Sequence, residues 1–277
     1  MTVQRRVRLG LSGCEAVIRA DPFGAGWVLE FDGVEQSHVD LADPFHIRHE
    51  YLRRIANALD ALAASAEPIR VLHLGAGALT LPRYIQATRP GSPQTVVEIE
   101  RELLTLVRDV LPLPPGTDLT DITADARDAL ALLSGPGATA PERFDAIVLD
   151  VFTGEDSPTH LANVDFYDEA LAALTADGIL LVNVGDEAGL LFASAQIRAL
   201  DAASARIGVD GVHVLCDTST LDGRVAGNLV LLAGPGASGA RAVGIANAVR
   251  DAGPHPGAVL EPHDAVAFAD RMLRRAG

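Results

Sequence analysis

The sequence predicts an α/β fold: a doubly wound, mostly parallel sheet with an antiparallel edge, preceded by a small N-terminal β-hairpin region. Three observations predict it. The segment from Ile69 to Glu100 has the pattern of a strand, a glycine turn, a helix and a second strand. Strand and helix patterns alternate from Ile69 onward, and after residue 206 two apolar runs follow each other without a helix between them. We place the hairpin region at residues 1–42 and the main domain at residues 43–277.

The N-terminal region is predicted to be a small antiparallel sheet. Residues 1 to about 41 alternate apolar and polar positions, and the turn signals DPFGAG and FDGVE interrupt this alternation. A helix is expected next, with Asp43 as its N-cap and Pro44 at its first position. Apolar residues then repeat at helical spacing to about residue 64, so the helix should lead into the main domain.

The main domain is predicted from alternating patterns. Strands are expected at 69–74, 95–99, 119–123, 144–150 and 178–184, and helices at 79–88, 101–110, 126–133, 164–174 and 188–206. The runs VDGVHVLCD and GNLVLLAG should form an antiparallel pair at the sheet edge. Helices near 239–251 and 263–275 complete the prediction.

Composition limits the classes of partner. A chain of 277 residues with 48% hydrophobic content can bury one large core. The net charge of −15 argues against nucleic acid and weakly favours cationic small molecules, although it also serves solubility alone. Cys14 and Cys216 have no metal-ligand spacing, and no apolar run suggests export or a membrane helix, so we expect a cytoplasmic protein without a metal. The sequence contains arginine but no lysine, which excludes a Schiff-base lysine.

The glycine turn and the acid after the second strand predict a nucleoside site. Gly75 and Gly77 allow a tight turn and a close approach of the backbone to a ligand. Glu98 ends the second strand, where a carboxylate can hold both hydroxyls of a ribose. The alternative for Glu98 is an exposed acid at a strand end. We therefore expect a bound nucleoside in the crevice at this end of the sheet.

Other acids follow the next strands. Asp125 comes after the third strand and either contacts an adenine amino group or caps the helix that begins at Ala126; one residue could do both. Asp150 ends the fourth strand, and Glu155 and Asp156 lie in the loop beyond it. Asp150 could orient an ammonium and accept its proton, or it could simply close the turn.

Taken together, these motifs resemble the polyamine aminopropyltransferase family, the spermidine synthases and their bacterial relatives. The resemblance covers most of the chain: FDGVEQS, LGAGALTLPR, VVEIE, DAR, FDAIVLD, SPTHL and FYDEALAALTADGILLVN. It implies a Rossmann-like class I methyltransferase fold. It also implies that Glu98 holds the ribose, that Asp125 with Ala126 lies at the adenine, that Gly75 and Gly77 approach the donor, and that Asp150 contacts the reacting amine.

The same resemblance implies an acceptor site that differs from the family's. Gln36 matches a family glutamine, while Ala78 and Thr153 stand where the family carries aspartates. A diamine needs anions at both ammonium ends, so the loss of two acids weakens the case for putrescine. Glu155 or Asp156 could compensate from the loop. The expected substrate-binding residues are therefore Gln36, Thr153, Glu155 and Asp156.

Three functions stay open. The first is aminopropyl transfer from decarboxylated S-adenosylmethionine to an amine. The second is methylation of a small molecule with intact S-adenosylmethionine, and the third is nucleoside binding without catalysis. A dinucleotide dehydrogenase is disfavoured because Thr80 replaces the third glycine of G-x-G-x-x-G. The expected partner is a small-molecule amine or another small acceptor, with no nucleic acid or membrane, and the chain could form a homodimer.

Overall fold

The first strands of the chain form a separate antiparallel sheet. A computed structural model of the chain describes residues 4–153 and 157–276. Within these residues, four strands pair in the order β1-β2-β3-β4: β1 (Arg5–Arg8), β2 (Glu15–Ala20), β3 (Trp27–Phe31) and β4 (Val34–Val39). Asp32 and Gly33 turn the chain between β3 and β4 with φ angles of 47° and 83°, as a two-residue hairpin turn requires. The predicted N-terminal antiparallel sheet is confirmed.

The first helix, α1 (Glu50–Leu62), starts later than expected. The prediction that Asp43 and Pro44 begin it was wrong. The Asp43 side chain instead accepts the Phe45 N–H over 3.0 Å in a local turn, and the N-cap of the helix is His49. The helical spacing was read correctly further along, since Ile55 and Leu59 are buried on one face.

The remaining elements form the main sheet and its covering helices. The strands are β5 (Val71–Leu74), β6 (Gln94–Glu98), β7 (Leu119–Thr123), β8 (Phe144–Thr153), β9 (Leu174–Asp186), β10 (His213–Asp217), β11 (Gly227–Ala233) and β12 (Gly257–Leu260). The helices are α2 (Thr80–Thr88), α3 (Arg101–Val110), α4 (Ala126–Ser134), α5 (Val164–Ala172), α6 (Leu191–Ile207), α7 (Gly239–Ala252) and α8 (Pro262–Ala276).

The topology of this sheet places its crevice beside β5. In the described residues the strand order is β12-β10-β11-β9-β8-β5-β6-β7. Neighbours from β9 through β8, β5 and β6 to β7 pair in parallel, whereas β11, β10 and β12 pair antiparallel at the edge. The chain runs outward from β5 through β6 to β7 and then returns to β8 on the other side of β5. Ligands bind at such a switch point, at the carboxyl ends of the strands.

The predicted α/β architecture is confirmed, with differences at its edges. The predicted pair at the sheet edge is present as β10 and β11, but the outermost strand, β12, was missed. It has only four residues, and all of them are partly exposed, so its sequence lacks a clear apolar pattern. β9 is longer than predicted because it begins at Leu174, where α5 was expected to end. Its pairing with β8 shifts register near Ala146, which separates this early part from the main run.

Helices cover both faces of the main sheet. On one face, α1, α2 and α7 pack on β5, β8 and β9, and on the other face α4, α5, α6 and α8 form the larger core. A third apolar cluster joins α3 to the N-terminal sheet through residues such as Leu103 and Ile18. The N-terminal sheet therefore packs against the main domain beside β6. Among the described residues, no helix combines the length and apolar character that crossing a membrane requires.

Candidate active site

A large cavity opens at the carboxyl ends of the parallel strands. Its volume is about 1110 Å³, and its wall contains the turns that follow β5, β6, β7 and β8. Part of β4 closes it from the N-terminal sheet, and the first turn of α1 closes it from the covering helices. The cavity lies at the switch point of the sheet, where the topology predicts a ligand.

The glycine turn after β5 forms the floor of this cavity. Gly75 has a φ of 101°, and a Cβ atom there would lie 2.5 Å from the Asp150 carbonyl oxygen. The close approach that this glycine allows is therefore to the neighbouring strand β8. Gly77 has a φ of 49° and faces Ser37 of β4, whose hydroxyl accepts the Ala78 N–H over 3.3 Å. Both glycines line the cavity, as expected of residues near a ligand.

Glu98 lies at the end of β6 with its carboxylate turned to the protein. Oε2 accepts the Ala76 N–H over 3.1 Å, and Oε1 accepts the Glu100 N–H over 3.0 Å. Burial raises the pKa of Glu98 above its ordinary value, although these backbone bonds oppose the rise. Glu98 is therefore a partly buried residue that fixes the glycine turn, and the alternative of an exposed strand-end acid is wrong. Each oxygen retains a lone pair, so the carboxylate can still accept two hydroxyls.

Asp125 caps α4, as one of its two predicted roles requires. Its Oδ1 accepts the Arg127 N–H over 2.9 Å, and its Oδ2 lies 2.8 Å from Nε2 of His160. Burial acts to raise the pKa of Asp125, but the bonds from His160 and from the helix backbone outweigh it and hold that pKa below its usual value. Asp125 and Ala126 both line the cavity, so the contact with an adenine remains a prediction.

Asp150 is held by two hydrogen-bond donors from distant parts of the chain. Asn183 of β9 donates to its Oδ1 over 2.7 Å, and the Tyr51 hydroxyl of α1 donates to its Oδ2 over 3.4 Å. Asn228 of β11 donates in turn to Oδ1 of Asn183 over 3.1 Å. The protein packed around Asp150 raises its pKa, and both donors act against that rise. Asp150 also lines the cavity, which a residue that merely closes a turn need not do.

Sequence reasoning missed the three side chains that complete this network. Tyr51 received no role, and Asn183 and Asn228 were not singled out. A usable signal existed for Tyr51, because it shares the apolar face of α1 with Ile55, and a phenol on such a face needs a hydrogen-bond partner. The two asparagines offered a weaker signal, since each interrupts or opens an apolar strand.

The predicted substrate-binding residues have different outcomes. Gln36 lines the cavity, and its amide donates to the Val34 carbonyl over 3.3 Å. Thr153 is the last residue of β8, and its backbone pairs with Gly185. Glu155 and Asp156 lie outside the described residues. The structure therefore brings Gln36 to the cavity, and the other roles stay predictions.

The charged groups of the cavity wall are of one sign. Among the described residues of the wall, seven carry carboxylates and none is an arginine; the acids are Glu35, Glu98, Glu100, Asp125, Asp150, Asp186 and Glu187. Among the same described wall residues, the basic side chains are the imidazoles of His49 and His73. Burial lowers the pKa of His49, and it lowers that of His73 to about 4. The cavity therefore offers negative potential to a ligand.

Comparisons with known proteins support one family. No family model matches the chain. The polyamine aminopropyltransferase of Chromobacterium violaceum is 27% identical over 149 residues, which cover 53% of this chain and 53% of that protein. The matched region thus spans about half the length of this curated relative. A probable spermidine synthase from Corynebacterium glutamicum has a similar structure, with a TM-score of 0.80, 26% identity, and coverage of 96% of this chain and 94% of that one.

A further solved structure bears on the fold. Human methyltransferase-like protein 13, solved in complex with SAH, matches with a TM-score of 0.53 and 20% identity over 81% of this chain and 91% of that one. This likeness supports the predicted methyltransferase fold. The order of the motifs, the architecture and these two relatives together lead to one conclusion: the chain is similar to the polyamine aminopropyltransferases and is a divergent, spermidine synthase-like protein.

Proposed function

We propose that this protein transfers an aminopropyl group from decarboxylated S-adenosylmethionine to a small amine. The observation that carries the proposal is the charge of the cavity wall, where seven carboxylates and no arginine occur among the described residues. Both substrates of this reaction are cationic. The donor has a sulfonium and an ammonium group, and the acceptor is an ammonium ion at neutral pH.

The charge of the cavity wall also favours one of two donors over the other. Intact S-adenosylmethionine carries a carboxylate, which needs an arginine or another strong donor when it is removed from water. Its decarboxylated form has no such group. In a cavity of this charge, the decarboxylated donor is favoured, and methylation with the intact donor is the less supported function. The donor's nucleoside is assigned to Glu98 at the ribose and to Asp125 with Ala126 at the adenine.

An apolar side chain beside Glu98 adds to the nucleoside assignment. Ile99 exposes 48% of its surface and lines the cavity. An exposed isoleucine costs little here if the flat face of a base covers it. In this arrangement the base would lie between the ends of β6 and β7, with the ribose toward the glycine turn and the sulfonium toward Asp150.

Asp150 is assigned to the acceptor amine. Its carboxylate orients the ammonium and accepts one proton, after which the amine nitrogen attacks the propyl carbon attached to sulfur. A C–N bond forms as the C–S bond breaks, and sulfur takes the bonding electron pair to become the neutral thioether of methylthioadenosine. The raised pKa of Asp150 suits a proton acceptor, while Tyr51 and Asn183 hold the carboxylate in place.

The donor experiment tests the proposal directly. Calorimetry with methylthioadenosine, intact S-adenosylmethionine and its decarboxylated form should show binding of the first and third. The intact donor should bind about tenfold or more weakly, because the described residues of the wall offer no arginine to its carboxylate. Incubation with the decarboxylated donor and a panel of amines should then release methylthioadenosine. Tighter binding of the intact donor together with methyl transfer would favour the methyltransferase, and binding without any turnover would favour a nucleoside-binding protein.

A further inference from the structure

The cavity continues below Asp150 into an apolar space between the sheet, α1 and α2. We call this space the inner chamber and define it by five residues of the cavity wall: Leu52, His73, Leu81, Pro82 and Val148. Leu52 follows Tyr51 on α1, and Leu81 and Pro82 belong to the first turn of α2. All five are buried in the fold, so the chamber is part of the interior rather than of the surface.

The register of the sheet places the chamber directly behind the reacting amine. Val148 precedes Asp150 by two residues on β8, and both lie on the face of the sheet that α1 covers, since Val148 belongs to the apolar cluster under α1 and Asp150 accepts the Tyr51 hydroxyl. His73 of β5 pairs with Val148 in the parallel ladder. The proposed nucleoside site lies on the other side of β5, at the ends of β6 and β7. A group that extends inward from an amine at Asp150 would therefore enter the chamber.

The chamber has no charge at neutral pH. Gln94 donates its amide to the Pro82 carbonyl over 3.2 Å, so its oxygen is the acceptor for Nε2 of His73 at 3.0 Å. Burial lowers the pKa of His73 to about 4, and the imidazole is neutral above that pH. None of the five chamber residues carries a carboxylate. An ammonium placed there would lose its hydration without gaining a counter-ion, which is among the costlier changes in a protein interior.

We propose that the acceptor is a primary monoamine with an apolar tail, whose ammonium binds Asp150 and whose tail fills the inner chamber. This inference rests on the proposed aminopropyl transfer and names the substrate class of that reaction. The product is then a secondary amine: the amine nitrogen forms the new C–N bond, its proton passes to Asp150, and methylthioadenosine leaves with the C–S electron pair. A diamine of the same length is a poor acceptor because its second ammonium would lie among Leu52, Leu81 and Val148.

The test compares monoamines and diamines with the unmodified protein and decarboxylated S-adenosylmethionine. The series runs from n-propylamine to n-hexylamine, with the α,ω-diamine of equal carbon number beside each one. The rate of methylthioadenosine release gives kcat/KM for each amine. Each added methylene should raise kcat/KM about fourfold until the chamber is full, the value for burying one CH₂. Each diamine should be about a hundredfold or more poorer than its monoamine, because a charge is buried without a partner.

Two variants of one residue test the chamber itself. Leu52→Asp places a carboxylate in it, and Leu52→Asn is the matched control with nearly the same size and no charge. Leu52→Asp should raise the ratio of diamine to monoamine turnover by at least tenfold relative to Leu52→Asn. Thermal melting of both variants shows whether each is folded. If neither folds, the amine series with the unmodified protein decides the question.

The outcomes separate this inference from the proposed function. A preference for monoamines that grows with tail length supports the inference. Diamines that react as well as or better than their monoamines would overturn the inference and leave aminopropyl transfer intact. The same holds if the donor binds and diamines react but none of the monoamines does. Failure to bind the decarboxylated donor at all would instead remove the proposed function.

Discussion

Asn183 donates its side-chain amide to Oδ1 of Asp150 over 2.7 Å and thereby joins the carboxyl ends of β8 and β9. The amide that makes this bond is itself fixed, because its oxygen accepts the Asn228 amide over 3.1 Å. The carboxylate proposed to accept a proton is therefore held by a chain of amides that crosses from the parallel strands to the antiparallel edge. Tyr51 completes its hydrogen bonding from α1.

The first prediction concerns Asp150 itself. Asp150→Asn keeps the shape of the side chain but cannot accept the proton, so turnover at saturating donor should fall by about two to four orders of magnitude. Affinity for methylthioadenosine should change little, because the residue faces the acceptor. Calorimetry and the transfer rate, measured on the same preparation, check both values. Joint loss of binding and rate in a folded variant would place Asp150 at the nucleoside instead.

The second prediction uses the hydrogen bond from Tyr51. Its hydroxyl favours the charged form of Asp150, so Tyr51→Phe should raise the pKa of that carboxyl further. The acid limb of the pH profile of kcat should then move to higher pH. Tyr84→Phe is the matched control, since Tyr84 donates to Asp60 and does not line the cavity. An acid limb that stays in place in Tyr51→Phe would show that another group controls it.

The third prediction tests the ribose contact. Glu98→Ala should weaken methylthioadenosine binding at least tenfold, since a charge-assisted hydrogen bond contributes about 1.5 to 3 kcal/mol. Glu102→Ala is the control, because that carboxylate accepts the Gly10 N–H over 3.3 Å and does not line the cavity. Calorimetry measures both affinities. Equal affinities in the unmodified protein and a folded Glu98→Ala variant would contradict the nucleoside assignment.

The fourth prediction separates the two roles of Asp125. Asp125→Ala removes a helix cap, which costs about 0.5 to 2 kcal/mol, together with any adenine contact. Asp125→Ser retains a capping oxygen and should recover most of the stability measured by thermal melting. If Asp125 contacts the adenine, both variants should raise the KM for the donor while kcat changes little, because that contact is equal in ground and transition states. Normal donor KM in Asp125→Ser would leave only the capping role.

The fifth prediction concerns His73 and the pH dependence of stability. Its pKa is about 4 in the folded protein and about 6.5 in the unfolded chain, so the unfolded state binds the proton more tightly. The stability that neutral His73 provides is present above pH 6.5 and is lost as the pH falls toward 4. His73→Gln should therefore show a shallower fall in the free energy of unfolding across this window. His263→Gln, at an exposed histidine, should follow the unmodified protein.

Local signals predicted most of the fold. β7 and α3 were placed with their observed bounds, and α3 buries Leu103, Leu104 and Val107 at the helical spacing that predicted it. The predicted start of α1 was wrong because Asp43 and Pro44, taken alone, are a common pair of residues at a helix start. Only the contacts of the folded chain show that the Asp43 oxygen serves a local turn and that the helix begins at Glu50. Tertiary structure overrides such propensities.

The site residues that lie at the end of one strand were predicted from the sequence. Contacts between residues from distant segments were missed. Glu98 is the last residue of β6, Asp125 follows β7 and Asp150 lies near the carboxyl end of β8, and all three line the cavity. Tyr51 and Asp150 are 99 positions apart in the chain, and Asn183 and Asn228 are 45 apart. No spacing rule links such pairs. The inner chamber was missed for the same reason, because each of its residues, taken within its own segment, looks like an ordinary core residue.

The contacts of Ser37 and Glu100 have a thermodynamic consequence for the N-terminal sheet. Ser37 of β4 accepts the Ala78 N–H above the glycine turn, and Glu100 accepts the N–H groups of Leu11 and Ser12. The sheet that closes the cavity and the turn proposed to hold the donor are thus linked by hydrogen bonds. Any molecule that requires the closed cavity must strengthen the docking of this sheet by the same free energy with which docking strengthens its own binding. Substitutions in β2 or β4 that weaken this docking, although remote from the reacting atoms, should then lower donor affinity.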